Sequence, residues 1–265
     1  MTAPHHIERG AGPAVVFLHG IGGDGASWLM ELEALAGHWR AIAWDMPGYG
    51  ASPALPEMTF PALADALDAL LDSLDIDRAH LIGHSIGGMV AQEFAATFPH
   101  RVASLVLYAT SPAFGRPDGD WQREFLAARL APLDAGRRMA DLAPSIVAGL
   151  VGGEPDPDGV ARATAAMARV PEDAYRAAMR CLVTFDRREA LPEIAVPVLV
   201  LAGAEDDNAP ARMMERMASR IPGADFQLIA GAGHLAHFER PAAFRAAIVS
   251  FLDGVTARRE REAAR

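Results

Sequence analysis

The sequence is poor in cysteine and in positive charge, and it contains no long apolar run. With Cys181 as the one cysteine, the chain cannot form an intramolecular disulfide. Its formal net charge of -10 argues against nucleic acid or an anionic membrane as a partner, because phosphate groups would be repelled. No apolar segment approaches the roughly 20 residues that a membrane-spanning helix needs. Residues 1–12 also lack the basic start and apolar run of a signal peptide, so we expect a cytoplasmic protein.

Apolar residues, in contrast, are abundant and patterned. They make up 51% of the 265 residues, so the chain can bury a substantial core. Short apolar runs that predict strands occupy residues 14–18, 41–44, 80–83, 102–108, 197–201 and 226–229. Patterns that predict helices occupy residues 61–74, 86–98, 212–221 and 241–252. This alternation predicts an α/β fold in which helices cover both faces of a mostly parallel sheet.

The middle of the chain differs from its two ends. Residues 113–191 carry helical patterns without a convincing strand, and proline and glycine cluster near their start and at 152–159. We predict that this stretch is a helical cap, or lid, over a core domain formed by residues 1–112 and 192–265. The charged tail, residues 256–265, is predicted to be a frayed surface helix.

A serine lies between the predicted strand at 80–83 and the following helix. Residues 83–87 read Gly-His-Ser-Ile-Gly and fit the pattern G-x-S-x-G in the strand–turn–helix context that this motif requires. On such a turn the hydroxyl of Ser85 would stand clear of the sheet. The helix beginning at Ile86 would offer free N–H groups and its positive dipole end to an oxyanion. These flanking elements favour a nucleophile over an incidental serine in a glycine-rich turn.

A serine hydroxyl is a weak nucleophile and needs a positioned base. Sites of this type follow the chain order serine, acid, histidine, and only His234 and His237 among the nine histidines lie late in the chain. His234 follows the predicted strand at 226–229, at the end where ligands meet an open α/β sheet. We therefore predict His234 as the base and His237 as a packing or supporting residue.

The orienting acid is expected after the strand at 197–201. Glu205, Asp206 and Asp207 cluster there. Such an acid accepts the imidazole N–H and stabilises the imidazolium that forms. Asp206 is the preferred candidate and Asp207 the second choice. The two carboxylates that do not take this role are typical of a solvated acidic loop.

A second glycine-rich loop, residues 19–25, follows the first predicted strand. In a hydrolase the backbone N–H of Ile21 would supply one oxyanion donor and that of Ile86 the other. Removal of one such donor typically slows the reaction about 100- to 1000-fold.

The same loop also spells G-x-G-x-x-G, with Asp45 at the end of the next predicted strand. A dinucleotide-binding oxidoreductase is therefore a rival hypothesis, although it leaves Ser85, Asp206 and His234 without a role. A catalytically inactive binding module on the same fold is a third, since a fold guarantees no activity.

Taken together, the motifs resemble those of the α/β-hydrolase superfamily over about residues 7–253. The matching segments are the oxyanion loop, the D-x-P-G-x-G-x-S loop, the nucleophile elbow, the G-x-x-D-x-x-x-P acid loop and the histidine loop, at residues 19–25, 45–52, 83–88, 203–210 and 233–241. The acid loop selects Asp206 over Asp207. Serine at position 85 argues against an aspartate-nucleophile dehalogenase or epoxide hydrolase. The short N-terminus suggests a shortened opening hairpin.

Within the superfamily, residues 85–92 are most similar to the enol-lactonase and carboxylesterase group. The resemblance implies a serine hydrolase that cleaves a small carboxylic ester or lactone through an acyl-enzyme, without a metal or organic cofactor. A C–C bond hydrolase of vinylogous diketones, which would use the same three residues, stays open, as does the oligomeric state.

Substrate contacts are expected from the predicted cap, because ligand pockets are mostly apolar. The residues selected are Trp121, Phe125, Met139 and Arg180, with Arg180 as a partner for a substrate carboxylate. Other apolar candidates are Phe114, Met167, Met179 and Phe185. At helical spacing, each apolar residue of this set is more often an ordinary core residue than a substrate contact.

Overall fold

A seven-stranded sheet forms the centre of the computed structural model, which describes residues 2–115 and 119–263. The strands are β1 His6–Arg9, β2 Ala14–Leu18, β3 Arg40–Trp44, β4 Ala79–His84, β5 Val102–Tyr108, β6 Val198–Gly203 and β7 Asp225–Ile229. Their order across the sheet is β1-β3-β2-β4-β5-β6-β7. Every pair is parallel except β1 with β3. The predicted parallel α/β sheet is therefore present, with its strands within two residues of the predicted bounds.

Strand β1 has no counterpart among the predicted strands. It pairs antiparallel with β3, from His6 opposite Trp44 to Arg9 opposite Ala41. Its residues are half-buried or exposed because β1 lies at the sheet edge, so it lacks the apolar run that identified the other strands. A single antiparallel edge strand thus stands where the resemblance suggested a shortened hairpin.

Helices cover the sheet on both faces. The helices are α1 Leu29–Leu35, α2 Phe60–Ser73, α3 Ile86–Thr97, α4 Asp120–Asp134, α5 Met139–Ala148, α6 Pro157–Arg169, α7 Glu172–Leu182, α8 Ala211–Ala218, α9 Ala236–Glu239 and α10 Pro241–Ala263. Successive side chains of a strand point to opposite faces. In β2, Val16 and Leu18 enter one apolar core with α2, α3 and α8, whereas Val15 and Phe17 enter the other with α1 and α10.

Helix α10 is longer than predicted. It runs from Pro241 to Ala263, so the stretch predicted to end at 252 and most of the charged tail form one continuous helix. Residues 264 and 265 of that tail lie outside the described chain. The helix continues through Gly254, where a Cβ would contact no neighbouring group.

The described residues between β5 and β6 form helices α4 to α7. The segments through which the chain enters and leaves this insertion lie side by side. An isolated antiparallel bridge joins Ala113 to Asp186, and the N–H of Phe114 donates to the carbonyl of Phe185 over 2.9 Å. Buried Glu93 of α3 accepts two hydrogen bonds from Arg187 there, each 2.5 Å long. The insertion is therefore anchored to the helix that follows β4.

Among the helices so described, none combines the length and the apolar character that a bilayer crossing demands.

Candidate active site

The turn between β4 and α3 holds Ser85 in a strained conformation. Its φ is 54° and its ψ is -119°, in a region that residues other than glycine rarely occupy. The N–H of Ser85 donates to the carbonyl of Tyr108 over 3.0 Å, and the hydroxyl of Thr110 donates to the carbonyl of Ser85 over 2.7 Å. These bonds from the end of β5 fix the turn. The serine is thereby raised above the carboxyl ends of the strands.

Glycines on either side allow this turn to form. A Cβ on Gly83 would lie 2.5 Å from the carbonyl oxygen of Gly87, and one on Gly87 would collide with the carbonyl of Leu18. The spacing in G-x-S-x-G thus reflects close backbone approach.

His234 and Asp206 form a buried pair. The ring Nδ1 of His234 lies 2.8 Å from Oδ2 of Asp206, whose side chain is fully buried. The other oxygen of Asp206 accepts the N–H groups of Asn208 and Ala209 over 2.8 and 2.9 Å. Since an ionised carboxylate only accepts, His234 donates through Nδ1, and its Nε2 is left to accept a proton.

The ionisation of Asp206 follows from the same contacts. Burial favours the neutral acid and would raise its pKa. The charge of His234 and the hydrogen bonds from His234, Ala209 and Asn208 together outweigh burial, and the pKa of Asp206 is lowered. Its neighbours Glu205 and Asp207 are exposed. The structure therefore pairs His234 with the acid that the sequence selected.

Two buried rings position the backbone of His234. Its carbonyl accepts hydrogen bonds from Nε2 of His84 over 3.0 Å and from the hydroxyl of Tyr108 over 3.1 Å. Its N–H donates to the carbonyl of Leu150 over 2.7 Å, in the inserted helical segment. The histidine loop is thus fixed from β4, from β5 and from the insertion.

Glu239 organises the same loop, a role that its place in the histidine-loop motif did not indicate. Its carboxylate is buried and accepts the N–H groups of Gly233 at 3.0 Å, Leu235 at 3.1 Å and Gly152 at 2.7 Å. A buried carboxylate that accepts several backbone donors rigidifies the segments that supply them. Glu239 therefore ties the loop of His234 to the insertion.

Three further histidines near the site stay uncharged. Burial lowers the pKa of His19 and His84, and it lowers the pKa of His237 to about 3. His19 donates through Nδ1 to the carbonyl of Gly20 and accepts the N–H of Met46 at Nε2, which fixes its neutral tautomer. His237 stacks on Trp28 with ring centroids 4.6 Å apart. These rings act as packing and hydrogen-bonding groups.

Ser85 and His234 line one cavity, together with the glycine-rich loop after β2. A Cβ on Gly20 would lie 3.3 Å from Cβ of Ser85, so this loop passes directly against the serine. Within the described chain, the N–H groups of Ile21 and Ile86 donate to no protein acceptor, and no hydrogen bond joins the hydroxyl of Ser85 to His234. Catalytic contacts of this kind often tighten only when substrate binds.

The cavity has a volume of about 420 Å³ and is mostly apolar. The insertion supplies much of its wall, including the expected residues Trp121 and Phe125. Three further apolar candidates also line it, namely Phe114, Met167 and Met179. The size is within the range of small-molecule pockets.

Two of the residues expected to contact substrate do not line this cavity. Met139 is buried at the start of α5, where it packs into the core instead of lining the cavity. Arg180 lies on the exposed face of α7, because the buried face of that helix is formed by Met179 and its apolar neighbours. Phe185, a weaker candidate, packs against Phe60 with ring centroids 4.5 Å apart and also stays outside the cavity.

Other lining residues were missed. Arg129 of α4 and Tyr175 of α7 face the cavity, as do Trp28 and Leu235. Helical spacing identifies which residues share a face, but it does not say which face of an inserted helix meets a cavity.

At the rival dinucleotide site, the backbone N–H and the carboxylate that would bind the cofactor already bond to each other or to other groups of the protein. The N–H of Gly25 already donates to Oδ1 of Asp45 over 2.8 Å. The other oxygen of Asp45 accepts the N–H of Ala51 and contacts the ring of His5. The carboxylate of Asp45 is therefore not free to accept hydrogen bonds from the hydroxyl groups of a ribose.

Across residues 2–115 and 119–263, no group of His, Cys, Asp and Glu is arranged to hold a metal ion.

Comparison with known proteins agrees with this architecture. A family model described as the alpha/beta hydrolase fold matches residues 13–241. The chain is 31% identical, over 94% of its length and 95% of the other, to a Caulobacter vibrioides protein provisionally named carbamate hydrolase RutD. A thermophilic esterase from Thermogutta terrifontis superposes with a TM-score of 0.85 at 29% identity, covering 95% of this chain and 93% of that one.

The enol-lactonase from Burkholderia xenovorans LB400 is also similar, with a TM-score of 0.83 at 27% identity over 94% of this chain and 96% of that chain. The expected similarity to enol-lactonases and esterases is thereby confirmed. The matched residues extend from the start of β2 to the start of α10 and include every loop of the site. The chain belongs to the α/β-hydrolase-fold family.

Proposed function

We propose that the protein hydrolyses small carboxylic esters, lactones included, through an acyl-enzyme on Ser85. The observation that carries this proposal is the buried Asp206–His234 pair, whose histidine lines the same cavity as a serine on a strained turn. The similar esterase and enol-lactonase support an ester substrate. A carbamate, suggested by the name of the Caulobacter relative, is chemically close because its carbonyl also bears an oxygen leaving group.

In the proposed mechanism, Oγ of Ser85 attacks the carbonyl carbon while Nε2 of His234 takes the hydroxyl proton. The oxyanion accepts hydrogen bonds from the N–H groups of Ile21 and Ile86, which have no acceptor among the described residues. The C–O bond to the alcohol breaks, and His234 returns the proton to the leaving oxygen. In a lactone this oxygen stays attached to the acyl group. Water then releases the acid by the same steps, and Asp206 holds the ring throughout.

Residues 113–191 act in this proposal as a cap over a core domain of residues 1–112 and 192–265. The apolar wall that the insertion contributes excludes water, which strengthens every electrostatic contact with the oxyanion. The expected cytoplasmic location remains a prediction.

Hydrolysis assays test the proposal. We expect the wild type to cleave 4-nitrophenyl butyrate or a simple enol-lactone, and Ser85→Ala to lose at least about 1000-fold in kcat/KM. Ser145→Ala is the matched control, because Ser145 lies on α5 outside the cavity and should leave the rate unchanged. Full activity in Ser85→Ala would exclude the serine mechanism. Cleavage of a vinylogous diketone without ester cleavage would instead favour the C–C hydrolase alternative.

A further inference from the structure

Arg129 is a cavity residue without a counterion. It lies on α4, is half-buried and lines the same cavity as Ser85. Among the described residues it has no ion pair and no hydrogen-bond partner. Its guanidinium carbon lies 5.2 Å from the ring centroid of Phe125, a contact that orients the group without neutralising it. The charge is therefore left for a ligand.

Several other arginines of the insertion are paired, whereas Arg180, which forms no ion pair within the described chain, does not line the cavity. Arg138 pairs with Asp141, Arg169 with Asp24, and Arg176 with both Glu172 and Asp134.

The charge of Arg129 is not balanced from within the cavity either. The only acid in the cavity wall, within the described chain, is Asp207, which is exposed and forms no ion pair with Arg129. The lining histidines His19, His84 and His237 are kept neutral by burial, which lowers the pKa of each. A partly desolvated cation without a partner is unfavourable, and an anionic ligand group would relieve that cost.

Tyr175 of α7 lines the same cavity as Arg129. Burial raises the pKa of its phenol, and the charge of Arg129 opposes that rise, so the two groups act on each other electrostatically. Its protonated hydroxyl can donate a hydrogen bond to a ligand in this cavity. The cavity therefore offers guanidinium N–H donors from Arg129 and a hydroxyl donor from Tyr175 to an anionic ligand group.

We propose that Arg129, supported by Tyr175, binds the carboxylate of a substrate whose acyl chain carries a second, ionised carboxyl group. The substrate class is then a dicarboxylic half-ester or a carboxylated lactone, an inference that rests on the proposed function. The planar guanidinium matches a carboxylate through two parallel hydrogen bonds. A single cation in an apolar cavity balances one negative charge, which favours a carboxylate over a dianionic phosphate. The ring stack of Phe114, Trp121 and Phe125 would cover the aliphatic stem.

A matched substrate pair tests this inference. We compare kcat/KM for 4-nitrophenyl hydrogen adipate with that for 4-nitrophenyl hexanoate, which replaces the distal carboxylate by a methyl group. The wild type should favour the charged ester. In Arg129→Gln, the ratio of the two kcat/KM values should fall about 10- to 100-fold, the range for a lost hydrogen bond to a charged group. Arg129→Lys should recover part of the ratio.

Arg180→Gln is the control variant. It removes the same charge from the insertion at an exposed position outside the cavity, so the ratio should stay at the wild-type value. An unchanged ratio in Arg129→Gln, or equal losses in both glutamine variants, would overturn the inference.

A binding measurement separates this inference from the proposed function. Monomethyl adipate, observed by ligand NMR, should bind Ser85→Ala more tightly than methyl hexanoate does, and adding Arg129→Gln should abolish the difference. If neither ester is hydrolysed by the wild type, the proposed function fails, yet this comparison still decides the anion subsite. Equal binding of both esters to Ser85→Ala would exclude the subsite.

Discussion

At the scale of single residues, the site depends on one carboxylate, that of Asp206, both oxygens of which accept hydrogen bonds. Asp206 orients the imidazole of His234 through one oxygen and is itself held by two backbone donors through the other. An amide in its place could present N–H to Nδ1 and stabilise the opposite tautomer, which would leave Nε2 protonated and unable to act as a base.

We therefore expect Asp206→Asn to lower kcat for a reactive ester about 1000- to 10,000-fold while the fold is retained. Steady-state kinetics with 4-nitrophenyl butyrate measure this loss. Asp207→Asn is the control: its carboxyl is exposed at the next position and should change kcat by less than about threefold. A larger loss in Asp207→Asn than in Asp206→Asn would reverse the assignment of the acid.

Site residues in loops that follow strands could be predicted from the sequence, whereas those on the inserted helices could not. Asp206 and His234 each lie in a loop that follows a strand, and the carboxyl ends of parallel strands meet at one edge of the sheet. Arg129 and Arg180 both lie on inserted helices and lack an acidic residue three or four positions away. Only the orientation of α4 and α7 distinguishes the cavity-facing arginine from the exposed one, and local periodicity does not specify that orientation.

At the scale of elements, α1 contains a buried acid, Glu31, whose ionised form is destabilised by its burial in the folded protein. Glu31 is 1% exposed, and its Oε1 has no hydrogen-bond partner, while the nearest cation, on Arg245 of α10, is 3.9 Å away. Burial raises the pKa of Glu31 from 4.5 to about 7. The folded state therefore holds this proton more tightly than the unfolded chain does.

The sign of the pH dependence follows from linkage. Below pH 4.5 both states are protonated at Glu31. Between pH 4.5 and about 7 only the folded state keeps the proton, so Glu31 makes the protein progressively less stable as pH rises, and above pH 7 the full cost applies. Glu31→Gln removes this ionisation.

We expect Glu31→Gln to raise the free energy of unfolding by about 2–3 kcal/mol more at pH 8 than at pH 4.5, the equivalent of the pKa change. Urea denaturation at both pH values measures the difference. Glu33→Gln is the control on the same helix, because Glu33 is exposed and should show no such pH-dependent gain. A gain for Glu31→Gln that is equal at both pH values would contradict the raised pKa.

Element boundaries show why some predictions were accurate. Strands β2 to β6 follow the apolar runs because they are buried on both faces, whereas β7 lies at the sheet edge and is largely exposed. Strand β1 was missed because its residues are partly exposed, and its position is set by pairing with β3. Helix α10 continued past its apolar stripe because the charged tail favours helix without packing.

At the scale of the whole molecule, the sheet order brings distant segments to one point. Ser85 follows β4, Asp206 follows β6 and His234 follows β7, so residues separated by up to 149 positions meet at one edge. The insertion between β5 and β6 closes over that edge and contacts the histidine loop through Leu150 and Gly152. The strand ends of this arrangement could be predicted from sequence, but the shape of the cavity could not, because it depends on how four inserted helices pack.

Covalent labelling of Ser85 tests the central claim most directly. The protein is incubated with a small fluorophosphonate and analysed by intact-protein mass spectrometry and peptide mapping, beside Ser85→Ala and the control Ser145→Ala. We expect a single adduct, on Ser85, that is absent in Ser85→Ala and unchanged in Ser145→Ala. An adduct on another serine, or no adduct even with a very small uncharged sulfonyl fluoride on the folded protein, would contradict an activated nucleophile at this position.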